Sequence, residues 1–240
     1  MIDTHAHLGD DAAEVLDRAR AAGVTRVVAV ATTVAGARAT LALADRYDGV
    51  FACLGLHPHE AGDPGDLDEL RTLLAHPKAV AVGETGLDYF RDYAPHDAQQ
   101  RLFDQELALA LELDKPVVIH TRAADEDTRA RLAAHSGTVI LHCFSSPPLL
   151  DDALANGWYV SFAGNVTYRN AYDLRDCARQ VPSERLLVET DSPYLAAQAV
   201  RGRRNEPAFV VHTYDVLSEL RGEDVRTLAD ANATRAFGLP

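Results

Sequence analysis

The feature that most constrains this chain is a regular alternation of short apolar runs with longer amphipathic segments. Stretches with helical spacing, such as residues 11–22 and 98–113, separate the runs. Eight runs rich in β-branched residues recur: Met1 to His5, Thr25 to Ala31, Val50 to Leu56, Ala79 to Glu84, Pro116 to His120, Thr138 to His142, Trp158 to Phe162 and Arg185 to Thr190. The alternation is typical of βαβ units and predicts eight parallel strands with eight helical segments.

These elements fit either an open doubly wound sheet or a closed barrel, and polar residues at the strand ends discriminate between the two. Six of them end five predicted strands: His5, His7, Glu84, His120, His142 and Asp191. If they share one site, the first strand must lie beside the eighth, which only a closed barrel allows. We therefore predict a (β/α)8 TIM barrel, one α/β domain over residues 1–240, with its site at the C-terminal ends of the strands.

Composition is that of a globular protein, with 47% hydrophobic and 25% charged residues. No apolar stretch approaches the ~20 residues of a membrane helix, and the first residues lack the basic and apolar regions of a secretory signal. We therefore expect a cytoplasmic protein with no membrane association. Cys53, Cys143 and Cys177 show no paired spacing, so we expect buried, reduced thiols.

The net charge of −13 means that the field of the whole molecule repels polyanions. A nucleic acid would have to be attracted locally, by arginine clusters and bound metal. The segment Arg201-Gly202-Arg203-Arg204-Asn205-Glu206-Pro207 is predicted to form a basic loop over the barrel mouth, where planar guanidinium groups suit phosphate oxygens. The alternative is a solvated loop with no ligand.

His5-Ala6-His7 is the first candidate metal-binding motif. In an extended segment, side chains two residues apart share a face, so both imidazoles can reach one ion. Asp3 precedes them, and we expect its carboxylate to act as an acceptor for a ligating histidine. Because surface histidine pairs are common, the motif gains weight mainly from the other strand ends.

Glu84 lies between glycines at the end of the fourth strand, which would let the backbone approach a ligand closely. A carboxylate can bridge two metals, a task that a carboxylated lysine performs in related barrels. Lys78 and Lys115 precede strands and do not end them, so Glu84 is the natural bridge. Its alternative role is that of a turn or cap residue.

His120 and His142 each follow an apolar strand and are further candidate ligands. Strand alternation points Cys143 away from His142, which favours core packing for this thiol. Asp191 is the candidate general base, since a carboxylate beside a metal-bound water can accept its proton, although it could instead cap the following turn. His57 and His59 could be further ligands or substrate contacts, and we favour contacts. We interpret His76, His96, His135 and His212 as surface residues.

Taken together, the motifs resemble the TatD-type deoxyribonuclease family. The matching segments follow the family order: residues 3–8 (DTHAHL), 55–59 (GLHPH), 83–89 (GETGLDY), 142–145 (HCFS), 189–191 (ETD) and 205–207 (NEP). The resemblance implies an amidohydrolase-like barrel, two divalent ions and metal-dependent DNase activity, often as an exonuclease. It assigns His5, His7, Glu84 and Asp191 to one ion and Glu84, His120 and His142 to the other. The chain departs from the family pattern at Thr85, Ser146, Ala197 and Ala199.

The expected function is hydrolysis of DNA phosphodiester bonds, with two ions activating a bridging hydroxide and Asp191 taking its proton. Arg122 or Arg203 would offset charge on the phosphoryl oxygens, and His57, His59 and Asn205 would contact substrate. Magnesium, manganese, zinc and nickel all suit the ligands. We expect no organic cofactor and a monomer. The alternatives are a metal-dependent amide or ester hydrolase, including hydrolysis of aminoacyl-tRNA, and a non-catalytic metal-bound partner protein.

Overall fold

The computed structural model describes residues 1–91 and 93–240. Eight strands run through it: β1 (Ile2–Ala6), β2 (Arg26–Ala31), β3 (Val50–Leu54), β4 (Ala79–Asp88), β5 (Val117–Arg122), β6 (Val139–Leu141), β7 (Tyr159–Phe162) and β8 (Leu186–Val188). They form one sheet in the order β1 to β8. After β8 the chain returns to β1: the His7 N–H donates to the Ser192 carbonyl at 2.8 Å, and the Asp191 N–H to the His5 carbonyl at 2.9 Å. This order is that of the (β/α)8 barrel and confirms the predicted fold class.

Nine α-helices occur in the described part of the chain: α1 (Ala12–Ala21), α2 (Val34–Arg46), α3 (Leu67–Leu74), α4 (His96–Glu112), α5 (Asp125–Leu132), α6 (Leu150–Asn156), α7 (Tyr172–Gln180), α8 (Val210–Arg221) and α9 (Val225–Phe237). This is one helix more than the sequence predicts, because two helices follow β8. Within residues 1–91 and 93–240, no helix is both long and apolar enough to span a membrane.

The chain divides into two compact units. The first comprises Met1–Ala29 with His142–Pro240, and the second comprises Val30–Leu141. In the first, β1 pairs with β2 and β7 with β8, all in parallel. In the second, β3, β4, β5 and β6 pair in chain order, again in parallel. The candidate ligands are therefore described below unit by unit.

The strands β3, β6 and β8 are continuous apolar runs because both of their faces are covered, as in other parallel sheets. In β5, Val117, Val118 and Ile119 are buried, whereas His120 and Thr121 are half-buried and Arg122 is exposed. The strand thus changes from core to surface over its last three residues, and its polar side chains emerge at its C-terminal end.

Local signals set the ends of several helices. The Thr33 hydroxyl accepts from the Gly36 N–H at 3.0 Å at the start of α2, and the Asp66 carboxylate accepts from two backbone N–H groups at the start of α3. Gly222 and Gly238 follow α8 and α9 with φ of 66° and 60°, the left-handed conformation that glycine tolerates best.

The fourth strand does not end at Glu84 as predicted but continues to Asp88. It continues because its C-terminal half pairs with β5, from Thr85 opposite Ile119 to Asp88 opposite Arg122. Gly86 has a φ of 136°, and a Cβ there would lie 2.0 Å from the His120 carbonyl oxygen. This glycine therefore permits a close approach to the neighbouring strand, whereas the sequence suggested an approach to a ligand.

Candidate metal-binding clusters

In the first unit, His5, His142 and Glu189 form a buried cluster, called here the His5 cluster. Their ligand atoms all lie within 4.8 Å of one another. The rings of His5 and His142 stack with centroids 4.0 Å apart. Glu189 Oε1 lies 3.2 Å from His142 Nδ1 and accepts from the Cys143 N–H at 2.8 Å. Imidazoles packed this closely around a carboxylate are suited to a shared cation.

His7 and Asp191 lie beside the same cluster. Asp191 Oδ1 is 3.9 Å from His5 Nε2 and 3.7 Å from His7 Nε2. The backbone of Asp191 is in the left-handed region, with a φ of 54°, and its N–H donates to the His5 carbonyl. The structure thus brings four of the predicted ligands, His5, His7, His142 and Asp191, together in the first unit.

Asp3 has a different role from the one predicted. Its buried carboxylate accepts from the Thr190 N–H at 2.8 Å, the Thr190 hydroxyl at 2.6 Å and the His5 backbone N–H at 3.3 Å. The expectation that it holds an imidazole is wrong, because its partners at His5 and Thr190 are the backbone and a hydroxyl. Burial raises the pKa of Asp3 to about 8 despite these bonds. The residue joins β1 to the segment that carries Asp191.

In the second unit, His57, Glu84 and His120 form another group, the His57 cluster, with ligand atoms within 4.8 Å of one another. Glu84 Oε1 lies 2.9 Å from His120 Nδ1 and 3.5 Å from His57 Nε2. Burial lowers the pKa of His57 although Glu84 opposes the shift, so the neutral, ligand-competent imidazole is favoured. The structure therefore places His57 where a metal ligand could lie, whereas the sequence favoured a substrate contact.

Asp88 lies beside this cluster and contacts two imidazoles. Its Oδ2 lies 2.9 Å from His59 Nε2 and 3.4 Å from His120 Nε2, and its Oδ1 accepts from the N–H groups of Phe90 and Arg91. Burial opposes ionisation of Asp88, but the hydrogen bonds with His120, Arg91 and His59 outweigh it and hold the pKa below its ordinary value. Asp88 is therefore an ionised acceptor that orients two imidazoles.

Sequence reasoning missed both Glu189 and Asp88 as parts of the site, although a signal for each was available. Glu189 precedes the predicted base Asp191 by two residues, and Asp88 follows Glu84 by four. Glu84 and Asp88 are separated by an even number of residues in β4, so strand alternation could have placed Asp88 beside Glu84. Glu189 lies beyond the end of β8, so its only signal was its closeness to Asp191 in the chain.

Helix α4 braces the second unit through two buried polar side chains. Glu106 accepts from the Leu56 N–H at 2.8 Å and from the Thr85 hydroxyl at 2.6 Å. Gln99 accepts from the Asp88 N–H at 2.9 Å and donates to the Asp88 carbonyl at 3.1 Å. Burial raises the pKa of Glu106 to about 8. The helix thus holds the residues that flank the ligands in sequence.

The predicted arginine contacts are both exposed. The Arg122 guanidinium lies over the Phe90 ring, 3.9 Å from its centroid, and Arg203 lies 4.5 Å from the centroid of Phe209. His59, a half-buried candidate contact, is held by Asp88 as described above.

The loop that carries Arg203 is tied down by its neighbours. Glu206 accepts from Arg18 through both carboxylate oxygens, and Arg204 pairs with Asp11. Asn205 is buried, and its amide nitrogen donates to the carbonyls of Thr190 and Tyr194 at 2.9 and 2.5 Å. Asn205, predicted as a substrate contact, therefore braces the segment around Asp191 in this structure.

The cysteines follow the prediction in two cases of three. Cys53 and Cys177 are buried, but Cys143 is only half-buried and its backbone has a φ of 43°. The strand alternation that was expected to point Cys143 into the core does not apply to it, because β6 ends at Leu141.

The donors of both clusters fit divalent cations. Each cluster combines imidazole nitrogens with carboxylate oxygens on partly or fully buried residues, a set that suits zinc, manganese or nickel. The carboxylates also permit magnesium, which prefers oxygen ligands.

Comparison with known proteins gives consistent matches over nearly the whole chain. The family model described as TatD related DNase matches residues 2–238. The uncharacterized metal-dependent hydrolase YcfH of Escherichia coli K12 is 42% identical, over 100% of this chain and 96% of its own length. The 3'-5' ssDNA/RNA exonuclease TatD of Klebsiella pneumoniae is 34% identical, over 98% and 95%. The crystal structure of YJJV, a TatD homolog from Escherichia coli K12, has a TM-score of 0.92 at 33% identity, over 100% and 98% of the two chains.

Proposed function

The chain belongs to the TatD-related DNase family, and from this premise we propose that it is a metal-dependent hydrolase that cleaves phosphodiester bonds of DNA, as an exonuclease. The observation that carries the proposal is the pair of clusters in which imidazole and carboxylate ligand atoms lie within 4.8 Å of one another. A solved relative of similar length and an exonuclease relative at 34% identity support the same reading.

The proposal includes the metal assignment that the family motifs imply. His5, His7, Glu84 and Asp191 would hold one divalent ion, and Glu84, His120 and His142 the other. Such ions, when bound, acidify the attacking water and offset negative charge on the phosphoryl oxygens. The mixed donors leave magnesium, manganese, zinc and nickel as the ions to be tested.

The remaining steps belong to the protein's own side chains. Asp191 accepts a proton from the attacking water, a role supported by its position between the two imidazoles of the His5-Ala6-His7 motif. Glu189 orients His142, and Asp88 orients His59 and His120, so the imidazoles are held before substrate arrives. Glu84 would contribute a carboxylate ligand to this assignment.

Binding of a polyanion requires local positive charge, because the net charge of the chain is −13. Arg122 and Arg203 are exposed, and each guanidinium stacks on an aromatic ring, which limits its freedom before binding. Both groups can hydrogen-bond phosphoryl oxygens and offset the charge that grows on them in the transition state.

The test is a comparison of metal forms and substrates with one preparation of protein. The purified protein is stripped of metal, divided, and reloaded with magnesium, manganese, zinc or nickel. Each form is incubated with single-stranded and duplex DNA, RNA, aminoacyl-tRNA and a p-nitrophenyl ester. We expect at least one metal form to release nucleotides from DNA and the stripped protein to release none.

Two outcomes would reject the proposal. Cleavage of aminoacyl-tRNA or of the ester, with intact DNA in every metal form, would identify a carbonyl hydrolase. Metal binding with no turnover of any substrate would identify a non-catalytic metal-bound protein. Asp48→Asn, a change at an exposed carboxylate outside both clusters, serves as the control for variant handling.

A further inference from the structure

Two large aromatic side chains are exposed just beyond β4 in the second unit. Phe90 is 62% exposed and Tyr93 is 65% exposed. Exposed aromatic rings keep a large apolar area in contact with water. Exposed apolar area beside a candidate site is characteristic of a binding surface. Their position, two and five residues after Asp88, places both rings close to the His57 cluster in the chain.

Phe90 is held in place before any ligand arrives. The Asp88 carboxylate accepts from the Phe90 N–H at 3.0 Å, and the neighbouring Tyr89 N–H donates to the Arg122 carbonyl at 2.9 Å. Arg122 itself lies over the ring, 3.9 Å from its centroid. The ring and the guanidinium therefore form a preformed pair. Backbone hydrogen bonds hold the two segments that carry them.

This pair lies near His120, one of the candidate metal ligands. Arg122 and His120 share a face of β5, because they are two residues apart. Two residues of a strand span about 7 Å, which is about the length of two nucleotide steps in a stacked strand. The Tyr93 ring meets the His59 ring edge to face at 4.7 Å, so the second aromatic also borders the cluster.

The guanidinium remains available to an anion. No carboxylate among residues 1–91 and 93–240 forms an ion pair with Arg122 in the structure. A stacked guanidinium keeps its N–H donors in its own plane, where they can reach phosphate oxygens while the face rests on the ring. The Phe90 ring thus offers a π-face for a base, and the Arg122 guanidinium offers a cation for the adjoining phosphate.

We propose that Phe90, together with Arg122 and Tyr93, forms a platform on which an unpaired nucleobase stacks beside the scissile phosphate. This inference rests on the proposed function and adds to it the side chains on which the base beside the scissile phosphate would stack. A base inside a duplex has both faces covered by its neighbours, so it cannot stack on the ring without leaving the helix. Because every base has a π-face, binding at the platform is tolerant of sequence.

The test measures binding without turnover. Metal-free protein is titrated with a short single-stranded oligonucleotide that carries 2-aminopurine near its 3′ end, whose fluorescence is quenched when the base stacks. We expect quenching with the wild-type protein. Phe90→Leu should weaken binding about tenfold, within the range for loss of one stacked base. An oligonucleotide with an abasic site at the same position should bind the wild-type protein about tenfold more weakly, and should show no further loss with Phe90→Leu.

A matched control is available in the same unit. Arg46 lies over the Tyr47 ring at 5.2 Å, at the end of α2 that precedes β3 and therefore at the opposite end of the strands. Tyr47→Leu removes a similar cation–aromatic pair and should leave oligonucleotide affinity unchanged. Parallel titrations with DNA and RNA oligonucleotides show whether the sugar contributes, and a duplex should bind at least tenfold more weakly than either strand.

The platform and the proposed function can fail separately. Wild-type affinity in Phe90→Leu, or equal affinity for abasic and normal strands, would overturn the platform, even if the metal-loaded enzyme cleaves DNA. Quenching that depends on Phe90 in a protein that hydrolyses no nucleic acid would retain the platform and reject the nuclease. Because Phe90 is exposed, its replacement by leucine should preserve the fold, which the thermal unfolding midpoint checks.

Discussion

The Glu106 carboxylate accepts a hydrogen bond of 2.6 Å from the hydroxyl of Thr85, inside the protein and one residue away from the candidate bridging ligand Glu84. Its other oxygen accepts from the Leu56 N–H, one residue before His57. A single buried acid in α4 thus joins the backbone segments that carry two members of the His57 cluster. Thr85, which departs from the family pattern, supplies one of its two partners.

Stability should fall with rising pH in part because of Glu106. Burial raises its pKa to about 8, above the ordinary 4.5, so the folded protein holds this proton more tightly than the unfolded chain does. Its contribution to the free energy of unfolding is complete below about pH 4.5 and is lost as the pH rises through 8. Glu106→Gln keeps the shape without the titration, so urea unfolding should show it more stable than wild type by a few kcal/mol at pH 9 and nearly equal at pH 5.

The comparison must allow for Asp3, whose pKa is also raised to about 8 and which is unchanged in the variant. A residual decrease in stability with pH is therefore expected in Glu106→Gln as well. If the free energy of unfolding changes with pH by the same amount in the two proteins, Glu106 does not titrate as described.

Asp191→Asn should abolish DNA hydrolysis while preserving the fold. The amide cannot accept the proton of the attacking water, and loss of a general base lowers kcat by about 100- to 10,000-fold. Glu84→Gln should be equally damaging, because an amide cannot serve as a shared anionic ligand. Initial rates on single-stranded DNA measure the effect, circular dichroism checks the fold, and wild-type turnover in either folded variant would refute these roles.

Glu189→Gln should weaken metal binding through His142. The carboxylate lies 3.2 Å from His142 Nδ1, and removal of an acceptor of this kind costs about 10- to 100-fold in metal affinity. Isothermal titration of the stripped protein with zinc measures the change. Glu184→Gln, at an exposed position of the same segment, is the matched control and should bind zinc as the wild type does. Equal affinities in the two variants would contradict the positioning role.

Asn205→Ala should lower the free energy of unfolding. The buried amide nitrogen donates to the Thr190 and Tyr194 carbonyls, and its loss leaves buried acceptors unsatisfied at a cost of about 1–3 kcal/mol. Asn156→Ala removes an exposed side chain that donates to the Asp152 carbonyl and should cost less than about 0.5 kcal/mol. Chemical unfolding compares the two. A larger KM for DNA with unchanged stability would instead support the substrate contact predicted from sequence.

Fold class was predictable because burial leaves a local record. Parallel strands are covered on both faces, so β2 is apolar from Val27 to its end, and β5 is an apolar run that ends in polar residues. The ends of the strands were harder to predict. Gly83 and Gly86 weaken the strand signal after Val82, yet β4 continues to Asp88 because β5 supplies the hydrogen-bonding partner.

The sequence by itself determined the order of the strands, the fold class and the residue types that gather at the strand ends, since these follow from apolar periodicity and from the regular geometry of parallel strands. Only the tertiary structure decided which atoms meet: that Asp3 bonds to backbone and not to an imidazole, that Glu189 and Asp88 face histidines, and that Glu106 connects Leu56 to Thr85. The physical reason is that such contacts join residues far apart in the chain, whose partners depend on strand register and on the direction of each side chain, and neither is encoded by any local pattern.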